Sequence, residues 1–177
     1  MKRYYKIALL VLLVLVIVYF ITPIKKPIRS YSTVLYSAEN KLLGAKIAED
    51  EQWRFPKLDS VPYKFEQSII HFEDQYSYKH PGVNPFSLLR AAKQNIKERK
   101  IVSGGSTITM QVIRMSYDNP KRTIWQKCLE IIHALKLEFN QSKKEILINY
   151  ASNAPFGGNV VGLEAASWRY YGRKPYQ

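Results

Sequence analysis

Cysteine and histidine are scarce in this sequence. Its 177 residues include one cysteine, Cys128, and three histidines. A single cysteine excludes an internal disulfide framework and any zinc site that needs several cysteine ligands. The histidines, His71, His80 and His133, have no metal-ligand spacing, and no H-E-x-x-H sequence is present. S-x-x-K and K-T-G sequences are also absent, which excludes an acyl-transfer site of the β-lactam-binding type in these residues.

Acidic residues are too few to balance the basic ones. The sequence has 27 Lys and Arg residues against 14 Asp and Glu residues, a formal net charge of +13. Hydrophobic residues make up 46% of the chain, which is enough for a packed core and excludes wholesale disorder. The length suits one domain of ordinary size. The excess positive charge therefore indicates an anionic partner: nucleic acid, a phospholipid surface or a phosphorylated substrate.

An unbroken apolar run occupies residues 7–21. The stretch from Tyr4 to Thr22 has 19 residues, which as a helix would be about 28 Å long, close to the roughly 30 Å of a bilayer core. A cleaved secretory signal would require a small-x-small cleavage site after the run, but the sequence continues with TPIKKPIRSY. We therefore predict an uncleaved transmembrane anchor over residues 1–22, followed by a juxtamembrane linker over residues 23–31.

The orientation of this anchor is left open by its flanking charges. Three basic residues precede the apolar run and three follow it, so the positive-inside count is a tie. They are Lys2, Arg3 and Lys6, then Lys25, Lys26 and Arg29. A basic domain tethered beside a membrane is expected to meet anionic head groups or lipid-linked phosphates rather than nucleic acid.

The rest of the chain predicts a small β-hairpin followed by a mostly α domain. The hairpin is expected over residues 32–48, with its turn at residues 38–41. Helix starts are expected after Pro62, at Asn84-Pro85, after Gly104-Gly105, near Thr123, at the capping box Ser142–Glu145, and before Ala165-Ala166. The helix that begins at Asn84-Pro85 is predicted to bury the stripe Phe86, Leu89, Ala92 and Ile96.

One polar cluster, Glu73-Asp74 followed by His80, lies at the predicted end of a helix. Its neighbours Phe72, Tyr76 and Tyr78 are aromatic, so we expect one of the two carboxylates to be partly desolvated. Such a carboxylate is the kind that is tuned for acid–base catalysis. The alternative is a charged helix end exposed to solvent.

Two further polar clusters follow. Residues 104–111 place two glycines before hydroxyl residues at a helix start, which suits close backbone approach and N–H donation to an anion. Lys127 and Glu130 are three residues apart and thus on one helix face. Taken singly, the first is also compatible with an ordinary flexible loop and the second with a surface ion pair.

In this order, the clusters resemble the motifs of the family 51 glycosyltransferases, the peptidoglycan transglycosylase domains of class A penicillin-binding proteins. Residues 73–82 resemble E-D-x-x-F-x-x-H-x-G, and residues 104–111 resemble G-G-S-T-I/L-T-Q-Q. Residues 126–130 resemble R-K-x-x-E, and residues 142–150 resemble S-K-x-E-I-L-x-x-Y. The fifth match is the Gly-rich segment 157–173.

The sequence departs from the family pattern at several positions. Ser77 replaces the Phe of the first motif, Met110 replaces a Gln, and residues 151–152 read Ala-Ser instead of Leu-Asn. Gln126 replaces a basic residue expected near substrate phosphates. Because family members continue beyond the fifth motif, the end of the sequence at Gln177 is interpreted as a C-terminal truncation of the domain.

The resemblance implies a mostly α, lysozyme-like fold with a small jaw, formed by residues 32–177. It implies polymerisation of lipid II with release of undecaprenyl pyrophosphate. By matching position, Glu73 is the general base, and Glu130 is a second catalytic carboxylate that orients Lys127 or the sugar. The implied substrate-binding residues are Asp74, His80, Ser106, Thr107, Thr109, Gln111, Arg114 and Lys127. Mg²⁺ or Mn²⁺ would offset the pyrophosphate charge, with Asp74 as a candidate ligand, and no organic cofactor is expected.

The implied partners are lipid II, the nascent glycan chain and the bacterial cytoplasmic membrane, and further cell-wall synthesis proteins are candidate partners. The catalytic domain would then lie on the extracytoplasmic side. Two alternatives stay open: a catalytically silent cell-wall scaffold and a lysozyme-like glycan hydrolase. A hydrolase would use carboxylates but would not need the Gly-Gly-Ser-Thr loop, Lys127 or the anchor.

Overall fold

Helices dominate the computed structural model, which describes residues 2–21, 23, 29–117 and 123–177. The helices are α1 (Lys2–Ile21), α2 (Tyr63–Glu73), α3 (Pro85–Glu98), α4 (Ile108–Ser116), α5 (Ile124–Asn140), α6 (Lys143–Asn153) and α7 (Leu163–Tyr171), with a short 3-10 helix at Ser77–Lys79. The strands are β1 (Thr33–Tyr36), β2 (Leu42–Lys46), β3 (Trp53–Arg54) and β4 (Val160–Val161). The predicted mostly α fold is confirmed.

The main core is built around α4. Ile108, Met110 and Ile113 are fully buried there, and the helix packs against both α5 and α6. Thr107 begins the helix, because its Oγ1 accepts a hydrogen bond from the Met110 N–H at 3.1 Å. This cap satisfies a backbone donor that the first turn leaves without a partner. A short helix buried on several sides is therefore the scaffold on which the neighbouring segments are fixed.

Three other predicted helix starts are confirmed by side-chain caps. Asn84 Oδ1 accepts from the Ser87 N–H at 3.1 Å, ahead of Pro85 in the first turn of α3. Thr123 caps α5 through the Gln126 N–H. Ser142 and Glu145 form the reciprocal capping box of α6. These ends were predictable because each cap is formed by residues within one turn of the helix that it starts.

The predicted hairpin is also confirmed. Strands β1 and β2 pair antiparallel, with Thr33 opposite Lys46 and an irregularity at Tyr36. The hairpin packs on a second hydrophobic cluster that includes Phe55, Val160 and Ala165. The parallel pair of β3 and β4 was not predicted, since two-residue strands are too short for an alternating pattern to be recognised.

The predicted buried stripe on α3 is wrong. Phe86, Leu89 and Ile96 are 85%, 70% and 78% exposed, and Ala92 is exposed as well. The helix instead packs through Leu88 and buries Ala91, because the backbone at Gly105 approaches α3 on that side. Neighbouring helix residues point about 100° apart. With Leu88 and Ala91 turned towards the domain, Phe86, Leu89 and Ile96 are therefore left exposed.

The C-terminal end of helix α1 contacts α5. The Lys136 Nζ atom donates to the carbonyl oxygen of Tyr19 at 3.0 Å and lies 5.2 Å from the centre of the Tyr19 ring. Beyond α1, the Pro23 carbonyl oxygen accepts a hydrogen bond from Tyr117 Oη. The Arg29 guanidinium donates to the carbonyl oxygen of Met115. These contacts fix parts of the predicted linker to the domain. Residues 24–28 of that linker lie outside the described residues.

The membrane span is not confirmed by the fold. Among residues 2–21, 23, 29–117 and 123–177, no helix has the length and apolar character needed to traverse a bilayer. The anchor over residues 1–22 therefore stays a prediction from the sequence.

Replacement of Gly82 by alanine is expected to lower the free energy of unfolding by about 3 kcal/mol or more. Gly82 has φ +86°, and an added Cβ would lie 2.6 Å from Glu138 Cγ and 2.8 Å from the Ala134 carbonyl oxygen. Gly158→Ala is the matched control, since φ there is +53° but no atom lies within 4 Å of the added carbon. We expect the control to lose about 1 kcal/mol. Denaturant unfolding followed by tryptophan fluorescence compares the two, and equal losses would contradict the steric explanation.

Candidate active site

The turn after α2 is held by a buried carboxylate. Asp74 is 7% exposed, and its Oδ1 lies 2.9 Å from His80 Nε2. Its Oδ2 accepts a hydrogen bond from the backbone N–H of Ile108 at 3.2 Å. Asp74 therefore joins the end of α2 to the start of α4 and to the loop at residue 80. Because Glu73 is the last residue of α2 and directly precedes Asp74, the contacts of Asp74 also fix the position of Glu73.

Glu73 is half-buried and held from α4. The Gln111 Nε2 atom donates to Glu73 Oε2 at 2.7 Å. Tyr150 of α6 is close enough to be affected by the charge of Glu73. Burial raises the pKa of Tyr150 to about 12, the negative charge of Glu73 adds to the rise, and the positive charge of Arg114 opposes it. At neutral pH, Glu73 thus has an uncharged phenol and a guanidinium in its electrostatic surroundings.

Lys127 lies against the glycine-rich loop. Its Nζ atom donates to Ser106 Oγ at 2.6 Å and to Glu130 Oε2 at 3.2 Å. Glu130 is buried, whereas the Lys127 side chain is one-third exposed. A buried carboxylate thus directs the ammonium group towards the loop, as the spacing of three residues on one helix predicted. Because Glu130 is inaccessible, it can position Lys127 but cannot readily contact a sugar.

The glycine-rich loop is pressed against the first turns of α3. A Cβ on Gly105 would lie 2.7 Å from the Ser87 carbonyl oxygen and 2.9 Å from Leu88 Cα, whereas a Cβ on Gly104 would have no atom within 4 Å. The second glycine is therefore the one that permits the close approach. This contact sets the position of Ser106 relative to α3.

Two predicted substrate-binding residues of this loop and helix face inward. Thr107 and Thr109 are each 1% exposed. The Thr107 hydroxyl donates to the Gly82 carbonyl oxygen, and the Thr109 hydroxyl donates to Glu138. Lys143 Nζ lies 2.7 Å from the same Glu138 oxygen. Both threonine hydroxyls are thus engaged in hydrogen bonds within the protein.

A polar cleft of about 190 Å³ brings the remaining groups together. Glu73, Ser106 and the two loop glycines all form part of its wall. Lys127 is linked to the cleft through Ser106 Oγ, and Gln111 through Glu73 Oε2. The cleft therefore presents a carboxylate on one side and a lysine-supported hydroxyl on the other.

One carboxylate of the Glu73-Asp74 pair is desolvated, as predicted, but not by the predicted neighbours. The buried member is Asp74, covered by His80 and the start of α4. The aromatic residues Phe72, Tyr76 and Tyr78 are all exposed. Phe72 lines the same cleft as Glu73, but its side chain is 85% exposed, so it does not bury the carboxylate.

Asp74 is poorly suited to the predicted divalent cation. Both of its oxygens already accept hydrogen bonds inside the protein. In the parts of the chain that the structure describes, no group of three or more His, Cys, Asp or Glu residues is arranged to hold a metal. The metal requirement stays a prediction, and no step of the proposed reaction is assigned to a metal.

Several residues around the cleft were not singled out from the sequence. Tyr150 and Lys143 lie within the fourth motif, so the motif was a usable signal for both. Glu138 had no local signal, because its partners come from α4 and α6. Arg90 lines the cleft from α3 and likewise had none.

Together, the fold and the cleft define a mostly α-helical domain in which one cleft joins a carboxylate and a lysine-supported glycine-rich loop. A family model described as Transglycosylase matches residues 39–177. The chain belongs to this family, and the family predicted from the five motifs is confirmed.

Relatives with established names support the same membership. The chain is 46% identical to penicillin-binding protein 1C of Escherichia coli over 127 residues, which are 71% of this chain and 16% of that protein. It is 36% identical to penicillin-binding protein 1A of Pseudomonas aeruginosa over 140 residues, 78% of this chain and 17% of the relative. It is 28% identical to penicillin-binding protein 4 of Bacillus subtilis over 142 residues, which are 80% of this chain and 23% of that protein. The chain thus spans less than a quarter of the length of these relatives.

Gly105→Ala is expected to displace the loop and weaken the Lys127–Ser106 contact, because the atoms it would strike are backbone atoms of α3 that cannot rotate away. Hydrogen exchange at residues 105–108 should accelerate at least tenfold, with a lower thermal unfolding midpoint. Gly104→Ala is the control on the neighbouring residue and should leave both quantities close to the parent values. Equal behaviour of the two variants would contradict the assigned packing.

Proposed function

We propose that this protein is a peptidoglycan glycosyltransferase that polymerises lipid II in bacterial cell-wall synthesis. The observation that carries the proposal is that Glu73 and Ser106 share one cleft while Lys127 Nζ lies 2.6 Å from Ser106 Oγ. Membership in the transglycosylase family supports the same reaction class.

The proposed reaction joins two lipid-linked molecules. The 4-hydroxyl of an acceptor N-acetylglucosamine attacks the anomeric carbon of the growing chain. A new carbon–oxygen bond forms there as the bond to undecaprenyl pyrophosphate breaks, and the anomeric centre inverts from α to β. The reaction needs a group that accepts the hydroxyl proton and positive charge that stabilises the departing pyrophosphate.

Glu73 is the proposed general base. Gln111 holds Oε2 in place, and within the described residues Oε1 makes no hydrogen bond that would compete for a proton. The negative charge of Glu73 and the positive charge of Arg114 both act on the neutral Tyr150 phenol, so all three groups belong to one electrostatic environment. An oriented carboxylate with one oxygen available is suited to take the hydroxyl proton as the new bond forms.

Lys127 is the proposed pyrophosphate ligand, with Ser106, Gln111 and Arg114 in support. Glu130 acts as a positioning residue, because it is buried behind the ammonium group that it holds. The charge-assisted contact from lysine stabilises negative charge more strongly than a neutral donor would. Asp74, His80, Thr107 and Thr109 then contribute indirectly by fixing the loops that present these groups.

The proposed substrate requires a membrane location. The polyprenyl tail of lipid II stays in the bilayer, so residues 1–22 would serve as a single-pass anchor in the cytoplasmic membrane with the cleft on the extracytoplasmic side. The contacts of α1 and Pro23 with α5 and Tyr117 support a fixed exit from that anchor. The nascent glycan chain and further cell-wall synthesis proteins are the proposed partners.

Glu73→Gln should lower the rate of glycan polymerisation by about 10²–10⁴ while lipid II still binds, because the amide keeps the size of the side chain but cannot accept the proton. Glu66→Gln on the same helix is the control, since Glu66 instead accepts from Tyr78 Oη at 2.6 Å. Polymer length and rate can be followed with labelled lipid II in vesicles. Near-normal polymerisation by Glu73→Gln would remove this residue from the role.

Lys127→Ala should weaken binding of lipid II and of pyrophosphate-bearing mimics about tenfold to a hundredfold, the range expected for a lost charge-assisted hydrogen bond. Binding of uncharged glycan should be unchanged. Lys144→Ala, an exposed lysine of α6, is the control. Cleavage of finished glycan that is indifferent to Lys127 would favour a hydrolase, and absence of any turnover by the parent would favour a scaffold.

A further inference from the structure

Two stacked aromatic rings join the exit of α1 to the interior of the domain. The Tyr117 phenol, directly after α4, lies on the His133 imidazole of α5, with ring centres 5.5 Å apart and planes 11° apart. Tyr117 Oη lies 2.9 Å from His133 Nδ1 and 3.3 Å from the carbonyl oxygen of Pro23, two residues beyond α1. None of these three residues lines the Glu73 cleft. The pair is therefore a separate feature that connects α5 to the exit of α1.

The Tyr117 hydroxyl has one proton for these two partners. The Pro23 carbonyl oxygen can only accept, so the hydroxyl proton points towards Pro23 when that hydrogen bond is made. Tyr117 Oη must then accept from His133, which requires the proton of the neutral ring to be on Nδ1. The hydrogen bonds thus run in one direction, from His133 through Tyr117 to Pro23.

The other nitrogen of the ring supports this tautomer. His133 is 2% exposed, and its Nε2 is buried without a hydrogen-bond partner in the parts of the chain that the structure describes. An N–H at this nitrogen would be a buried donor without an acceptor, which is rare and costly in folded proteins. The neutral ring avoids this cost when its proton is on Nδ1.

Protonation of the ring would disrupt the arrangement. A protonated imidazole donates from both nitrogens, so it would place an Nε2–H without an acceptor, and a positive charge, in the interior. Burial lowers the pKa of His133, and the positive charge of Lys136 lowers it further. Glu130 is one turn earlier on α5, but its Oε2 accepts from Lys127.

The neighbouring elements supply positive rather than negative charge. Helix α5 packs against α4 and α1. The charged residue of α4 is Arg114, and Arg29 donates to a carbonyl oxygen in the last turn of that helix. The charged residues of α1 are all basic, and near its end the Tyr19 carbonyl oxygen accepts from Lys136. Within the described residues, no carboxylate bonds to the His133 ring.

We propose that His133 and Tyr117 form a pH-dependent latch between α5 and the exit of α1. With a neutral ring, the Tyr117 hydroxyl donates to the Pro23 carbonyl oxygen. When the ring takes a proton from solvent, it leaves its buried position to find an acceptor for Nε2–H, and Tyr117 loses its stacking partner and its bond to Pro23. The residues directly after α1 are then held less firmly, whether or not the cleft catalyses the proposed reaction.

The tautomer can be tested without changing the sequence. In the full chain labelled with ¹⁵N-histidine, the nitrogen chemical shifts of His133 at about pH 7.5 should show a protonated Nδ1 and an unprotonated Nε2. A neutral ring with its proton on Nε2 would overturn the latch, because the Tyr117 hydroxyl would then have to donate to Nδ1 instead of Pro23.

The pH dependence of stability has a defined sign. An unfolded histidine has a pKa of about 6.5. Because the pKa of folded His133 is lower, the unfolded state binds more protons in acid, and stability is lost as the pH falls below about 6.5. Between about pH 7.5 and about pH 5.5, the folding equilibrium constant should fall up to about tenfold more in the parent than in His133→Asn, whose amide can donate but cannot titrate. His71→Asn changes an exposed histidine and should keep the pH dependence of the parent.

Spin labels test the latch itself. Phe20→Cys and Phe139→Cys, both at exposed positions, place labels on the end of α1 and on α5 in a Cys128→Ser background. The distribution of distances between the labels should broaden in acid in the parent and stay narrow in His133→Asn. In Tyr117→Phe, which keeps the ring but lacks the bridging hydroxyl, it should be broad at both pH values. A distribution that neither acid nor Tyr117→Phe changes would show that there is no latch, even if His133 lowers stability in acid.

Discussion

The buried carboxylate of Asp74 is the interaction on which the rest of the cleft depends. It accepts hydrogen bonds from the 77–80 loop and from the first turn of α4, so it fixes three segments at one point. A buried carboxylate is stable only when its oxygens are satisfied, and here both are. Glu73 is the next residue in the chain, and its direction is set by this anchoring. The half-buried Glu73, which lines the cleft, is thus positioned by its buried neighbour Asp74.

Helix α4 connects the separate parts of the cleft. Its cap, Thr107, bonds to the loop at Gly82, and its next residues reach Glu138 through Thr109 and Glu73 through Gln111. Glu138 in turn pairs with Lys143 of α6, which also donates to the His80 carbonyl oxygen at 2.8 Å. These bonds form a closed set of contacts behind the cleft. Movement of any one of these loops would therefore be opposed by bonds to two other helices.

The features that were predicted correctly from the sequence are those formed by residues close together in the chain. The caps at Asn84, Thr123 and Ser142 were correct, since capping needs only the next three or four residues. The face of α3 was wrong, because its packing is decided by Gly105 from a distant loop. The inward direction of Thr109 was missed for the same reason: Glu138 lies on another helix. Motif matching located residues of the cleft, but it could not tell which of their side chains are buried in hydrogen bonds within the protein.

The close backbone approaches at Gly82 and Gly105 limit substitution through different neighbouring atoms. Any replacement at Gly82 would meet both the flexible Glu138 side chain and the fixed Ala134 carbonyl, so a shorter residue at 138 would relieve only part of the crowding. At Gly105 the obstructing atoms all belong to the backbone of Ser87 and Leu88. No side-chain exchange elsewhere can relieve a clash with backbone. Position 105 is therefore closed to gradual substitution unless α3 shifts. Position 82 is closed as well, because a change at residue 138 would leave both the clash with the Ala134 carbonyl and the strain of φ +86°.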